Sequence, residues 1–160
     1  MIEEGLRSEL QKQGVYVTSL QELYNWGRAN SVWPLTFGLA CCAIEMMAFG
    51  TARYDAARWG QEVFRASPRH ADGLLITGPV TKNMELALKK TWDAVPPPKI
   101  VIAVGACAIS GGPFFDRPEQ LGGAAAVVPV DLFVPGCPPN AEIIFSAVAA
   151  VLEGRLPDLE

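Results

Sequence analysis

The sequence predicts an open α/β fold in which a mostly parallel sheet is flanked by helices. Two apolar runs, Leu74–Thr77 and Lys99–Gly105, support this prediction most strongly, because continuous apolar stretches of this length are typical of strands buried on both faces. Between these runs, apolar residues recur at helical spacing, at Met84, Leu88, Trp92 and Val95. A strand, a helical crossover and a second strand form the basic unit of a parallel sheet.

Two helices are expected in the amino-terminal part of the chain. Ser19 and Glu22 have the spacing of a capping box, and the apolar face that follows them continues through about Ala29. Residues 33–48 are expected to pass through a loop around Gly38 into a buried helix. The cysteines of this segment would then lie at the junction between the loop and the helix.

Two weaker strands and one further helix complete the expected elements. Glu62–Ala66 alternates as a short strand does. Val127–Val134 is extended, and Pro129 within it indicates an edge or irregular strand. Asn140 then opens a very apolar helix over Ile143–Leu152.

Length and composition exclude several classes of protein. The 160 residues fit one domain, 1–160, in which residues 1–14 are expected to form a peripheral arm. Half of the residues are hydrophobic and 19% are charged, which excludes a disordered linker. The net charge is −4 and no basic run exceeds Lys89-Lys90, so nucleic acid is not an expected partner.

Location can also be predicted from composition and patterning. The amino end is acidic and polar and does not resemble a secretory signal, so the chain is expected to stay in the reducing compartment where it is made. No apolar stretch reaches the roughly 18 to 20 residues that a membrane-spanning helix needs.

Four cysteines are the strongest functional signal in the sequence. Each one follows a glycine at a point where a strand or loop is expected to turn into a helix, and they are Cys41, Cys42, Cys107 and Cys137. Because the loops leaving the carboxyl ends of parallel strands meet at one edge of the sheet, these distant cysteines can come together there. The neighbouring glycines and prolines would let the backbone approach a bulky inorganic group closely.

Four thiolates can hold zinc or an iron–sulfur cluster, and the spacing favours the cluster. Structural zinc sites usually contain short Cys-x-x-Cys motifs, and this chain has none. Because the side chains of neighbouring residues diverge, Cys41 and Cys42 are poorly placed to bind one small ion together. A cubane cluster offers each of the two sulfurs a separate iron. Zinc and inert buried thiols remain the alternatives at this point.

The segments around the cysteines resemble the B subunit family of NADH-quinone oxidoreductase, respiratory complex I. The resemblance covers most of residues 15–153 and is carried by Ser31–Met47, Phe64–Arg69, Gly105–Ala108, Val128–Asp131 and Pro135–Pro139. It implies that Cys41, Cys42, Cys107 and Cys137 bind the last [4Fe–4S] cluster of the complex, which passes electrons to quinone. It also implies a flavodoxin-like α/β domain with the cluster at the carboxyl ends of the strands.

The same resemblance implies further residues. Trp33, Ile44 and Met47, with Asp55, match positions on the quinone side of the family's cluster. Glu45 and Asp55 could relay protons or tune the cluster, and a structural hydrogen bond is the alternative role for Glu45. A helix beginning near Asn140 would direct its positive end toward Cys137, and our hypothesis is that this raises the reduction potential of the cluster. No dinucleotide or nucleotide phosphate loop is present, so nicotinamide chemistry would take place on other subunits.

The resemblance also implies partners and a location. The partners would be a large catalytic, hydrogenase-like subunit of the 49 kDa type, a ferredoxin-like subunit with two clusters, and membrane-arm subunits. The chain would be a peripheral protein on the cytoplasmic side of the inner membrane, and a component of a proton-translocating enzyme rather than a complete enzyme.

Some segments depart from this family. Gly78–Ala87 and Ala106–Pro113 look closer to the small subunits of energy-converting membrane [NiFe] hydrogenases, which typically have Cys-x-x-Cys where this chain has Cys41-Cys42. The tandem pair therefore favours the quinone branch, with the hydrogenase branch as the alternative. Residues Phe114–Ala126 differ from the aromatic and amide-rich loop that is usual in the family.

Overall fold

The computed structural model describes residues 11–15, 18–61 and 67–152. Within these residues, four parallel strands form one sheet in the order β1-β2-β3-β4. The strands are β1 (Pro34–Gly38), β2 (Gly73–Thr77), β3 (Ile100–Val104) and β4 (Leu132–Val134). Leu35 lies beside Leu74, and Leu74 lies beside Val101, so the three long strands are in matched register. The predicted open parallel α/β fold is confirmed.

In the described part of the chain, five complete α-helices precede, connect or follow these strands. They are α1 (Leu20–Asn30), α2 (Ala40–Phe49), α3 (Lys82–Ala94), α4 (Ala106–Ser110) and α5 (Ala141–Leu152). The predicted capping box at the start of α1 is present, because Ser19 Oγ accepts from Glu22 N–H at 3.1 Å and the Glu22 carboxylate accepts from Ser19 N–H at 2.8 Å. At the start of α5, Asn140 Oδ1 accepts from Ile143 N–H at 2.9 Å. This bond satisfies one of the free N–H groups of the first turn.

The two faces of the sheet carry separate apolar cores. On one face, strand residues including Leu35, Leu74 and Val101 pack with Leu88 of α3. On the other face, strand residues including Leu75 and Ile102 pack with residues of α2 and α5, among them Met46, Phe49, Ile144 and Val148. This alternation follows from the two-residue period of a strand. All five residues of β2 are buried, as expected for a strand that is covered on both faces.

One predicted loop is in fact a strand. Residues 33–48 were expected to pass through a loop around Gly38 into a helix, but residues 34–38 form β1 and pair in parallel with β2. Pro34 stands at the first position of the strand, where a missing N–H group is tolerated. At the other end, Gly38 has no side chain to obstruct α2, and a Cβ there would lie 3.3 Å from Ala43 Cβ.

The last strand is shorter than predicted. Val127–Val134 was expected to be extended, but only Leu132–Val134 pairs with β3. Upstream, the N–H groups of Val127 and Val128 both donate to Ala124 O at 3.0 Å and so form a tight turn. Pro129, which has no N–H group to donate, lies between this turn and the strand.

Two of the predicted elements lie outside the described residues. These are the strand expected at 62–66 and most of the arm expected at 1–14. Among the residues that the structure describes, no helix is both long enough and apolar enough to cross a lipid bilayer.

Candidate metal centre

The four cysteines lie at the carboxyl edge of the sheet. Cys41 and Cys42 are in the first turn of α2, just after β1, and Cys107 is in α4, just after β3. Cys137 follows β4 in the loop that leads to α5. None of the four forms a disulfide. Cys42 and Cys107 are buried, with 2% and 4% of their surfaces exposed, whereas Cys41 and Cys137 are exposed.

Gly105 is the point where the cysteine-bearing segments meet. A Cβ atom placed on Gly105 would lie closer than 3.0 Å to Cys42 Sγ and 3.6 Å from Gly136 O. Gly105 N–H donates to Val134 O at 2.8 Å, and the next N–H group, of Ala106, donates to Gly136 O at 2.7 Å. The segments that carry Cys42, Cys107 and Cys137 are therefore in direct contact.

A second glycine packs closely against the other buried sulfur. A Cβ atom on Gly112 would lie 3.1 Å from Cys107 Sγ and 3.0 Å from Cys107 N. Both buried thiols thus face a residue without a side chain. Only a residue without a side chain lets the backbone pack this closely against the two sulfurs, so the position of both buried thiols depends on these glycines.

The described residues do not form the compact group of side chains that a single metal ion requires. In the described ranges, no three His, Cys, Asp or Glu side chains come close enough together to ligate a single ion. Four thiolates around one zinc ion would lie within about 4 Å of each other, because each Zn–S bond is about 2.3 Å. A cluster binds each thiolate through a different iron, so the cysteines that would hold one can lie farther apart than the ligands of a single ion.

Electrostatics links the same cysteines. The pKa of the Cys42 thiol is raised to about 11, first by burial and then by the Coulombic effects of Cys41 and Cys107. The pKa of Cys107 is also raised, first by burial and then by Cys137 and Cys41. Thiolates that interact in this way repel one another, so a positively charged group between them would be needed to keep all four deprotonated.

Three of the other residues implied by the resemblance lie on α2 with the tandem cysteines. Cys41, Ile44 and Met47 are spaced three residues apart and so share one side of the helix. Ile44 is 63% exposed and Met47 is 55% exposed, which makes this side an open apolar stripe. Glu45 is half-buried in the same helix, and no hydrogen bond to its carboxylate is seen within the described part of the chain.

Trp33 and Asp55 lie elsewhere. Trp33 precedes β1, at the opposite end of that strand from the cysteines, and lines a groove of about 560 Å³ with Tyr24 and His70. Asp55 follows α2 in a left-handed conformation with φ of 47°. The structure therefore groups Ile44 and Met47 with the cysteines but does not bring Trp33 into the same group.

Sequence reasoning missed the role of Thr77 at this edge of the sheet. Thr77 is the last residue of β2 and is fully buried, and its backbone oxygen accepts from Leu39 N–H at 2.8 Å. The signal that could have found it is a hydroxyl residue at the end of the apolar run Leu74–Thr77, because buried hydroxyl groups need hydrogen-bond partners.

Fold and site together define a class of protein: an α/β domain that presents four cysteines at the carboxyl edge of a parallel sheet. The family profile described as NADH ubiquinone oxidoreductase, 20 Kd subunit, matches residues 40–151. The chain therefore belongs to this family, and the resemblance seen in its motifs is confirmed.

Individual relatives agree with this family. The chain is 52% identical to the B 2 subunit of NADH-quinone oxidoreductase from Roseiflexus castenholzii over 146 residues, which are 91% of this chain and 54% of that protein. It is also 52% identical to NADH-quinone oxidoreductase subunit 6 of Thermus thermophilus over 140 residues, which are 88% of this chain and 77% of that protein. The chain thus spans about half the length of the Roseiflexus relatives that it matches.

A solved structure shows the same fold. The membrane-bound sulfane sulfur reductase (MBS), an archaeal respiratory membrane complex, contains a chain that superposes with a TM-score of 0.78 at 36% identity. The match covers 84% of this chain and 75% of that chain.

Proposed function

We propose that this protein is the electron-transfer subunit of a proton-translocating NADH-quinone oxidoreductase. In this proposal it binds the terminal [4Fe–4S] cluster, which reduces quinone at the interface with the large catalytic partner subunit. The observation that carries the proposal is the contact at Gly105, where the Cys42 sulfur meets the loops of Cys107 and Cys137. Membership of the 20 kDa subunit family supports it.

The residues of the chain have distinct tasks in this function. Cys41, Cys42, Cys107 and Cys137 would ligate the cluster, which supplies a one-electron carrier when bound. Burial of Cys42 and Cys107 keeps water away from the inner side of the site, which strengthens the local electrostatic interactions. Asn140 fixes the start of α5, whose positive end favours negative charge near Cys137.

The exposed side of the site would face the partners. Cys41, Ile44 and Met47 form the open stripe on α2, and an apolar surface of this kind suits a neighbouring protein chain and a long apolar quinone. Methionine adapts its shape to such a substrate. Phe114 and Phe115 follow α4 and are also exposed, so their two rings add apolar surface on the Cys107 side.

The remaining parts of the proposal concern the assembly. Glu45 and Asp55 would tune the cluster or relay protons. The resemblance also implies Trp33 for the quinone side, although Trp33 lies at the far end of β1 from the cysteines. The partners would be the large hydrogenase-like subunit, the two-cluster ferredoxin-like subunit and the membrane-arm subunits. The chain would be peripheral on the cytoplasmic side of the inner membrane, and the family and its membrane-complex relative support this location.

The test is an air-free purification of the intact assembly. Iron and sulfide analysis should give one [4Fe–4S] cluster for this subunit, and the reduced assembly should show its paramagnetic signal. Replacing any of the four cysteines by serine should abolish or alter that signal, whereas Ser110→Ala, in the same helix as Cys107, should leave it unchanged. Zinc, or no metal, at full occupancy in the wild-type subunit would refute the proposal in favour of a zinc-stabilised scaffold or a metal-free protein.

A second candidate is the small [4Fe–4S] subunit of an energy-converting membrane-bound [NiFe] hydrogenase-type complex. It is favoured by the segments 78–87 and 106–113, which look closer to that branch. Nickel analysis of the large partner subunit separates the two candidates, because a nickel-free partner supports quinone reduction and a nickel-containing partner supports the hydrogenase branch.

A further inference from the structure

The tandem cysteines follow a very short and strained turn. Only Leu39 and Ala40 separate the end of β1 from Cys41. Ala40 has φ of 53°, a left-handed conformation that is uncommon for a residue with a side chain. Such a conformation persists only where the surrounding structure fixes it.

Thr77 holds this turn from the neighbouring strand. Its backbone oxygen accepts from Leu39 N–H at 2.8 Å, and its hydroxyl oxygen lies 3.3 Å from the same nitrogen. The hydroxyl also donates to Phe37 O at 3.4 Å. One buried side chain therefore contacts the backbone on both sides of Gly38.

The end of β2 also connects the cysteine loops with one another. Gly78 N–H donates to Val104 O at 3.4 Å, and Gly105 N–H donates to Val134 O at 2.8 Å. Together with the bond from Leu39 to Thr77, these bonds run from the Cys41 loop across β2 and β3 to β4. Glycine is required at position 78 in this row of hydrogen bonds, because a Cβ atom there would collide with Leu39 O.

We propose that Thr77 is a positioning residue that fixes Cys41 and Cys42 relative to Cys107 and Cys137. The inference rests on the proposed function, in which these four cysteines hold one cluster. The hydrogen bonds of the Thr77 hydroxyl go to backbone atoms of the turn before the tandem cysteines. Removing this hydroxyl frees the turn on one side, so the strained Ala40 can relax and the two sulfurs can move away from the positions that the cluster requires.

The test compares three variants in the intact assembly. Thr77→Val removes the hydroxyl at nearly constant volume, Thr77→Ser keeps it, and Ile76→Val is a control that trims a buried neighbour in the same strand. The measurements are the line shape and midpoint potential of the reduced centre, and the rate of iron loss to a chelator. Thermal unfolding is recorded in parallel as a measure of stability alone.

The expected results separate positioning from stability. Thr77→Val should lose iron about fivefold faster than the wild type, the ratio that corresponds to one typical hydrogen bond, and should shift the line shape. Thr77→Ser should resemble the wild type. Ile76→Val should lower the unfolding temperature without changing the line shape. If Thr77→Val does not assemble, Thr77→Ala removes the hydroxyl without placing a methyl group where the hydroxyl was.

Two results would overturn the inference. One is a wild-type line shape and iron-loss rate in the variants without the hydroxyl. The other is an equal change in those variants and in Ile76→Val, which would show a general loss of packing. Iron-free wild-type protein would instead refute the proposed function itself, and would be seen before any variant is compared.

Discussion

Replacing Gly105 by alanine tests the contact that joins the cysteine loops. Gly105 has φ of 92° and ψ of 156°, a region that is essentially restricted to glycine, and alanine there costs about 1 to 3 kcal/mol. The added Cβ would also lie closer than 3.0 Å to Cys42 Sγ, so the sulfur must move. Overpacking of this kind costs a further 1 to 3 kcal/mol, roughly. We therefore expect a loss of about 2 to 6 kcal/mol in the free energy of unfolding.

Gly122 provides a matched control. It also has a positive φ, of 77°, but a Cβ atom there would meet nothing within 4 Å. Gly122→Ala should therefore cost only the backbone strain, about 1 to 2 kcal/mol. Urea unfolding of the iron-free chain measures this difference, and iron per subunit in the intact assembly measures the effect on the site. Equal unfolding free energies and equal iron contents in Gly105→Ala and Gly122→Ala would refute the reasoning.

Three further variants test other parts of the structure. Asn140→Ala removes the bond to Ile143 N–H, so it should lower the free energy of unfolding by about 1 kcal/mol. It should also lower the midpoint potential of the cluster in a redox titration, and an unchanged potential would contradict the helix-dipole hypothesis. Glu45→Gln removes a negative charge one turn from Cys42 and should raise that potential, and a fall would contradict this expectation. Arg28→Ala breaks the partly exposed ion pair with Asp72 and should lower the free energy of unfolding by about 1 kcal/mol. In urea titrations this loss should become smaller as salt is added, and a loss that does not depend on salt would indicate an effect on packing instead.

Much of the fold could be predicted because buried parallel strands have a distinct pattern. The runs at Leu74–Thr77 and Lys99–Gly105 contain β2 and β3, and both strands are apolar because helices cover the two sheet faces. The convergence of the cysteines followed from the same topology, since parallel strands end at one edge. These features depend on local sequence and on general rules of connection.

The remaining features depend on contacts between distant residues. β1 looked like a loop because a proline and a glycine bound a stretch of only five residues, and pairing with β2 decides its conformation. β4 was predicted too long because the turn after Ala124 uses N–H groups that an extended strand would have offered to β3. The fit of Gly105 against the Cys42 sulfur could not be predicted, because no local pattern links two residues so far apart in the chain.

The four sulfurs differ in exposure, and this difference sets the order in which they can be reached from the solvent. Cys42 and Cys107 lie at the base of the site against the packed interior, whereas Cys41 and Cys137 lie at its open rim. The two apolar cores are built from strand and helix residues and contain none of the four cysteines. In the proposed function, a cluster that enters from the solvent side would therefore meet the sulfurs of Cys41 and Cys137 first and those of Cys42 and Cys107 last.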